Sequence, residues 1–279
     1  MKMKILTICF FTTMCVNVYG QTTSYPFEIQ KTGQGKSSII FIPGFASSGE
    51  VWNETKSEFE KDHTCYSLTM AGFAGMKPEE NSTFENWKVA IAHFIKNTKI
   101  EKPIIVGHSL GGALALAIAS DYPNLISKII VVDALPYLAA LMNPNFESNE
   151  NNDCSKTVYQ MTSMTDEQFY QMQKMSVPSL LADTTMQKKV VNWSVTSDRK
   201  TFAEMYCDFS NTDLRERIKS IKCPSLILLN SNFSSIKSNI EKQYENLRTA
   251  NLKYATKGLH FIMYDDKEWY FEQLNHFLN

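Results

Sequence analysis

Apolar residues fall along this chain in two rhythms. Short, mostly apolar runs occupy residues 37–44 (SSIIFIPG), 103–106, 128–133 (KIIVVD) and 224–229 (PSLILL), and residues 64–70 and 252–256 also have strand character. Runs of this length, bounded by Gly or Pro, predict buried strands. Between them the spacing turns helical. Ser82 and Glu85 form a capping-box pattern, after which Phe84, Trp87, Ile91, Phe94 and Ile95 recur on one face. Residues 110–120 are rich in Ala and Leu all round, which predicts a helix buried on most sides and ended by Asp121-Tyr122-Pro123. A closing helix carries Tyr270, Leu274, Phe277 and Leu278. Strands alternating with helices predict parallel βαβ units, hence an α/β fold with a doubly wound, mostly parallel sheet. Parallel strands covered on both faces also account for runs that do not alternate.

The texture changes between Pro136 and Ser220. A polar, Asn-rich loop at 143–153 precedes three helical patterns: Phe169, Met172 and Met175; Met186, Val190 and Trp193; Phe202, Met205 and Tyr206. The expected organisation is therefore a core of residues 21–135 and 221–279, with a helical cap inserted at 136–220. The cap methionines read first as packing between cap and core, and second as the lining of an adaptable apolar pocket.

Residues 1–20 stand apart. Lys2 and Lys4 precede an apolar stretch from Ile5 to Val18, and Val18 and Gly20 occupy the −3 and −1 positions of a cut before Gln21. That layout predicts a secretory signal peptide, and so an exported protein, periplasmic or extracellular. Removing it takes Cys9 and Cys15 and leaves Cys65, Cys154, Cys207 and Cys223. Four cysteines in an exported chain permit two disulfides. Cys154 and Cys207 share the insertion and are the first pair to consider; four small buried hydrophobes are the alternative.

Composition narrows the chemistry. The 279 residues are 43% hydrophobic and 20% charged, with a formal charge of −1, so neither nucleic acid nor an anionic membrane is an expected partner. Beyond the leader no stretch is long and apolar enough to span a bilayer. No CxxC or clustered Cys/His spacing points to zinc or another metal. Gly35-Lys36-Ser37 has the end of a phosphate-binding loop, but Gln30 stands where that motif needs glycine.

The informative segment is Gly107-His108-Ser109-Leu110-Gly111, a G-x-S-x-G with a predicted strand before it and a helix after it. A sharp strand-to-helix turn lifts the serine hydroxyl off the backbone, and the flanking glycines remove side chains that would clash. The helix then begins at the serine, so its free N–H groups face a developing oxyanion. On these residues the chain resembles the α/β-hydrolase superfamily, in the branch with a serine nucleophile and a helical cap. The resemblance implies Ser109 as nucleophile and His260, in Lys257-Gly258-Leu259-His260-Phe261, as base. Pro43-Gly44-Phe45 is similar to the family's oxyanion loop, with Pro43 where histidine is usual; by that match the N–H groups of Phe45 and Leu110 form the oxyanion hole.

The acid departs from the common pattern. Most relatives place an Asp after the strand that follows the cap, yet that loop here reads Leu229-Asn230-Ser231-Asn232-Phe233-Ser234. Some relatives place the acid after the strand that follows the nucleophile, which here holds Asp133. A carboxylate closing an apolar strand needs a partner. Asp208, Asp213, Asp265 and Asp266 are weaker candidates. The expected triad is Ser109, Asp133 and His260, hydrolysing a small-molecule carboxylic ester through an acyl-enzyme with no cofactor. An amidase, peptidase or lactonase using the same residues is one rival, and a silent binding protein on the same scaffold is another. Relatives that dehalogenate or open epoxides use Asp at the Ser109 position, so those reactions are not expected.

Overall fold

The computed structural model describes residues 24–141, 143, 145–149 and 153–278. The expected leader and part of the 143–153 loop lie outside the described residues. Seven strands are formed among the described residues: β1 (Phe27–Thr32), β2 (Ser37–Ile42), β3 (His63–Met70), β4 (Ile104–His108), β5 (Lys128–Val132), β6 (Ser225–Leu229) and β7 (Ala250–Tyr254). Their order across one sheet is β1-β3-β2-β4-β5-β6-β7. Only β1 runs antiparallel, against β3; the pairs from β3 through β7 are parallel. The sheet is therefore mostly parallel, as the continuous apolar runs predict. The chain steps from β2 outward to β3 and then back past β2 to β4, so the strand order reverses between β2 and β4. In open α/β sheets that reversal opens a crevice at the carboxyl ends of the strands.

Ten α-helices accompany the sheet among the described residues: α1 (Asn53–Phe59), α2 (Phe84–Asn97), α3 (Leu110–Asp121), α4 (Ser155–Thr162), α5 (Asp166–Ser176), α6 (Thr184–Val195), α7 (Arg199–Asn211), α8 (Lys237–Gln243), α9 (Ile262–Asp265) and α10 (Lys267–Leu278). None is long and apolar enough to cross a membrane. Successive side chains of the inner strands enter cores on opposite faces, as the pleat requires. Ile40, Ile42, Ile105 and Val131 pack with α2 and α3, while Ile39, Phe41, Val106 and Val132 pack with Trp52, Tyr270 and Leu274. Every residue of α3 from Leu110 to Ser120 is buried, which explains its lack of a polar face.

Several details differ from the sequence reading. β1 is not anticipated, because its half-exposed pattern carries little apolar signal; it makes β3 an inner strand rather than an edge. The cap of α2 is Thr83, whose hydroxyl accepts from Asn86 N–H at 3.1 Å, while Ser82 donates to the Glu79 carbonyl. β7 begins two residues earlier than the expected strand. The methionines divide: Met205 is fully buried, but Met175 is 79% exposed.

The segment between β5 and β6 contains α4 to α7. Cys154, at the N-terminus of α4, is disulfide-bonded to Cys207 on α7. Cys65 and Cys223 are buried free thiols, each pushed up to about 11 by burial, which makes them poor nucleophiles. The two sequence readings of the cysteines thus each hold for one half of the set. α4 buries none of its side chains and lies against α7.

Candidate active site

The turn after β4 is as tight as the motif requires. Ser109 has φ 52° and ψ −118°, a conformation an L-residue adopts only under local constraint. A Cβ on Gly107 would lie 2.1 Å from the Gly111 carbonyl oxygen, and one on Gly111 would lie 2.2 Å from that of Ile42. Neither position accepts any other residue without moving backbone. The Ser109 N–H donates to the Val132 carbonyl at 2.9 Å, which fixes the turn against β5.

Asp133 leaves β5 at φ 48°, and its N–H donates to the Leu228 carbonyl at 2.7 Å. Its side chain is fully buried and lies 2.6 Å from His260 Nδ1, which donates to Oδ2. A carboxylate in that place fixes the tautomer that leaves Nε2 free as a base. The remaining acids are engaged elsewhere. Asp208 accepts from the Phe84 N–H at the start of α2, and Asp213 holds Arg215. Asp265 accepts from the N–H groups of Ala182, Asp183 and Leu259, and Asp266 from Thr256 and Lys257. The last two therefore secure the loop that carries His260. Among the other histidines, His63 bonds Ser37 at the start of β3, and His93 and His276 are exposed on helices.

Ser109 and His260 line one cavity of about 400 Å³, together with Phe45. No direct hydrogen bond joins the serine hydroxyl to His260 among the described residues; bonds of this kind commonly tighten only with substrate in place. Leu110 is the first residue of α3, so its N–H has no intrahelical partner. Gly44 brings the Phe45 loop close: a Cβ there would sit 2.6 Å from His108 Nδ1 and 3.3 Å from Ser109 Cβ. The Phe45 ring is held edge-on by Phe202 and Phe73, at centroid separations of 4.5 and 5.1 Å.

Two residues at the site are not identified from sequence as contributors. Asn230 stands where the common pattern has an acid, and its side chain contacts both Asp133 oxygens, at 2.9 and 2.8 Å. The absence of a carboxylate from its loop is the only sequence signal for it. His108, readable only as a motif neighbour, packs its ring against that of His260 at 4.6 Å and bonds the His260 carbonyl through Nε2 at 2.9 Å. A carbonyl only accepts, so Nε2 carries a proton, and the buried Nδ1 has no acceptor among the described residues for a second one. Burial, and then the nearby His260, hold its pKa well below the usual histidine range.

A pH effect on stability follows. The unfolded chain protonates His108 near pH 6.5, whereas the folded chain does not. The unfolded state binds the extra proton, so stability attributable to this residue falls as the pH drops below about 6.5, by about 1–2 kcal/mol at pH 5. Urea unfolding at pH 7 and pH 5 checks this: His108→Gln is expected to lose less stability on acidification than the wild type by that amount.

The cavity wall is largely apolar. Leu138, Leu141, Val190, Phe202 and Phe209 contribute to it, and no Lys or Arg does among the described residues. No methionine lines it among the described residues, where the apolar surface comes largely from Leu, Val and Phe. No group of three or more His, Cys, Asp or Glu among the described residues could hold a metal ion.

Comparison with known proteins agrees with this architecture. A pimeloyl-[acyl-carrier protein] methyl ester esterase of Vibrio parahaemolyticus is 27% identical over 201 residues, covering 71% of this chain and 76% of that protein. An esterase from Thermogutta terrifontis, solved with malate bound, superposes with a TM-score of 0.74 at 15% identity, covering 90% of this chain and 92% of that one. An enol-lactonase from Burkholderia xenovorans gives the same TM-score at 13% identity, covering 90% of this chain and 96% of that one. The family model for the alpha/beta hydrolase fold matches residues 38–265, a span that contains the strained serine, the buried aspartate and the histidine. This chain belongs to the α/β-hydrolase fold family.

Proposed function

We propose that this protein hydrolyses neutral, apolar carboxylic esters through an acyl-enzyme on Ser109. The observation that carries the reading is the Asp133–His260 bond of 2.6 Å beside a strained serine on the wall of one apolar cavity. In the proposed reaction His260 Nε2 takes the Ser109 proton as the hydroxyl oxygen attacks the ester carbonyl. The oxyanion is held by the N–H groups of Phe45 and Leu110, and Asp133 stabilises the imidazolium. Collapse breaks the bond to the alcohol, which leaves with the proton from His260. Water then repeats the sequence and releases the acid.

The curated relative acts on a methyl ester carried by a protein, and that favours an ester over an amide here. A cavity wall without a cation has no partner for a carboxylate on the substrate, which favours an uncharged acyl group. The chain is also read as exported: the leader pattern at 1–20 and the Cys154–Cys207 disulfide both suit an oxidising compartment.

A fluorophosphonate probe and a series of p-nitrophenyl esters test the function. The wild type is expected to be labelled and Ser109→Ala is not. Acetate to octanoate esters are expected to turn over, while monoesters bearing a free terminal carboxylate are poor substrates. Absence of labelling in the wild type, with a folded protein, would leave only a binding role.

A further inference from the structure

We propose that Asn230 is a positioning residue for catalysis, its side-chain amide holding Asp133 ionised and aimed at His260. The proposal rests on the triad reading above. A fully buried carboxylate is costly unless its lone pairs are filled by donors. Apart from the imidazole and one backbone N–H, every donor to the Asp133 carboxylate among the described residues belongs to the Asn230 side chain. The Asn230 N–H reaches Oδ1 at 2.7 Å, and Nδ2 reaches Oδ1 at 2.9 Å and Oδ2 at 2.8 Å. The oxygen that accepts from His260 is thus the same Oδ2 that Nδ2 steadies.

The amide has only one workable orientation. Its Oδ1 accepts from the N–H groups of Asn232 and Phe233 at 3.0 and 3.3 Å, capping the 3-10 turn Ser231–Ile236. Flipping it would set donor against donor on that side and acceptor against carboxylate on the other. Asn230 therefore links two jobs, a cap on one side and a charge clamp on the other. Only an amide does both. Aspartate or serine would keep the cap, since both are good capping residues, but neither would supply the amide donor. Aspartate would also set a second carboxylate against the first, and two such groups do not both ionise freely.

The other ionisable groups around the pair leave its titration exposed to view. His108, from the end of β4, is neutral. Tyr244, at the end of α8, donates to the Ala134 carbonyl at 2.6 Å, and burial followed by the charge of Asp133 pushes its phenol well above the ordinary range. Tyr254 on β7 is likewise raised, to about 12, by burial. Asp265 and Asp266 point at backbone N–H groups behind the His260 loop. The acid limb of kcat/KM therefore reports on the His260–Asp133 couple.

The experiment compares Asn230→Ser and Asn230→Asp with the wild type and with Asp133→Asn, using urea midpoints and pH profiles of ester hydrolysis. Both Asn230 variants are expected to fold with a lowered midpoint, more so in Asn230→Asp, because a buried carboxylate loses a donor or gains a like charge beside it. Asn230→Ser is expected to lower kcat by about 10–100-fold, with KM changed less, because a charge-assisted hydrogen bond is lost. In both, the acid limb is expected to move to higher pH, further in Asn230→Asp, because less compensation or more negative charge beside the imidazole favours its protonated form. A purely capping role predicts the wild-type rate and profile in both variants. That result beside an impaired Asp133→Asn would overturn this proposal and leave the triad standing. A normal rate in Asp133→Asn would remove the triad reading, and this proposal with it.

Discussion

His260→Ala is expected to lower kcat for ester hydrolysis by about 10⁶-fold, and adding Ser109→Ala to it is expected to cost almost nothing more. The reason is that the two side chains serve one event. Without the imidazole the Ser109 hydroxyl keeps its proton and is a weak nucleophile, so its presence no longer matters. Strong non-additivity of this kind separates a nucleophile–base pair from two residues that merely bind substrate, whose effects add when they act independently. KM is expected to change little, since the apolar wall formed by Leu138, Val190 and Phe209 is untouched. A residual rate above that in water is expected from the Phe45 and Leu110 N–H groups, which neither substitution removes. Steady-state kinetics on the two single variants and the double variant decides it; additive losses would mean that the pair does not act as a unit.

Asp133→Asn is expected to cost about 10⁴-fold in kcat. The substitution changes almost no volume, yet it inverts the hydrogen bonding on a fully buried side chain. One side of the new amide presents a donor. If that donor faces His260, the imidazole must turn its unprotonated nitrogen toward it, and the proton then sits on the nitrogen that should receive one from Ser109. If the amide turns the other way, its NH₂ meets the Asn230 N–H and Nδ2, at positions where the native oxygen accepts at 2.7 and 2.9 Å. Neither arrangement satisfies all donors, so a lowered unfolding midpoint is expected alongside the lost rate. Fluorophosphonate labelling is expected to be slowed in parallel with turnover. A variant that hydrolyses esters at nearly the wild-type rate would mean that the acid lies elsewhere, although Asp208, Asp213, Asp265 and Asp266 are each committed to other partners.

The parts of the site that were legible in the sequence are those whose chemistry imposes a local rule. Gly107, Ser109 and Gly111 are readable because one turn must fit all three, and the contacts a Cβ would make there give the rule its force. Asp133 is readable because it closes the apolar run of β5, and His260 because it lies between the last strand and the final helix; a parallel sheet gathers the ends of its strands at one edge. Asn230 was legible only as a missing carboxylate. Its function exists only once β6 lies beside β5, and no spacing along the chain encodes that approach. β1 was missed for the opposite reason. As an edge strand with exposed Glu28 and Gln30 on part of its length, it needs little apolar sequence to pair with β3. The cavity lining was legible least of all. A helical period shows that a face is apolar without showing whether it meets the core, the cavity or water, and Met205 and Met175 illustrate two of those fates.

One brace in the roof of the cavity has a wider meaning. α4 has no fully buried side chain and only part-buried ones such as Met161 against the core, so its bond to α7 adds a covalent anchor to a light apolar one. α7 supplies Phe202, Tyr206 and Phe209 to the chamber in which the acyl group would rest. The bridged cysteines lie 53 positions apart, and joining ends so distant withdraws about 4 kcal/mol of freedom from the unfolded polymer in the chain-entropy treatment. Reduction of that bridge is therefore expected to loosen α4 from α7 and, through Phe202, Tyr206 and Phe209, to slacken one wall of the cavity.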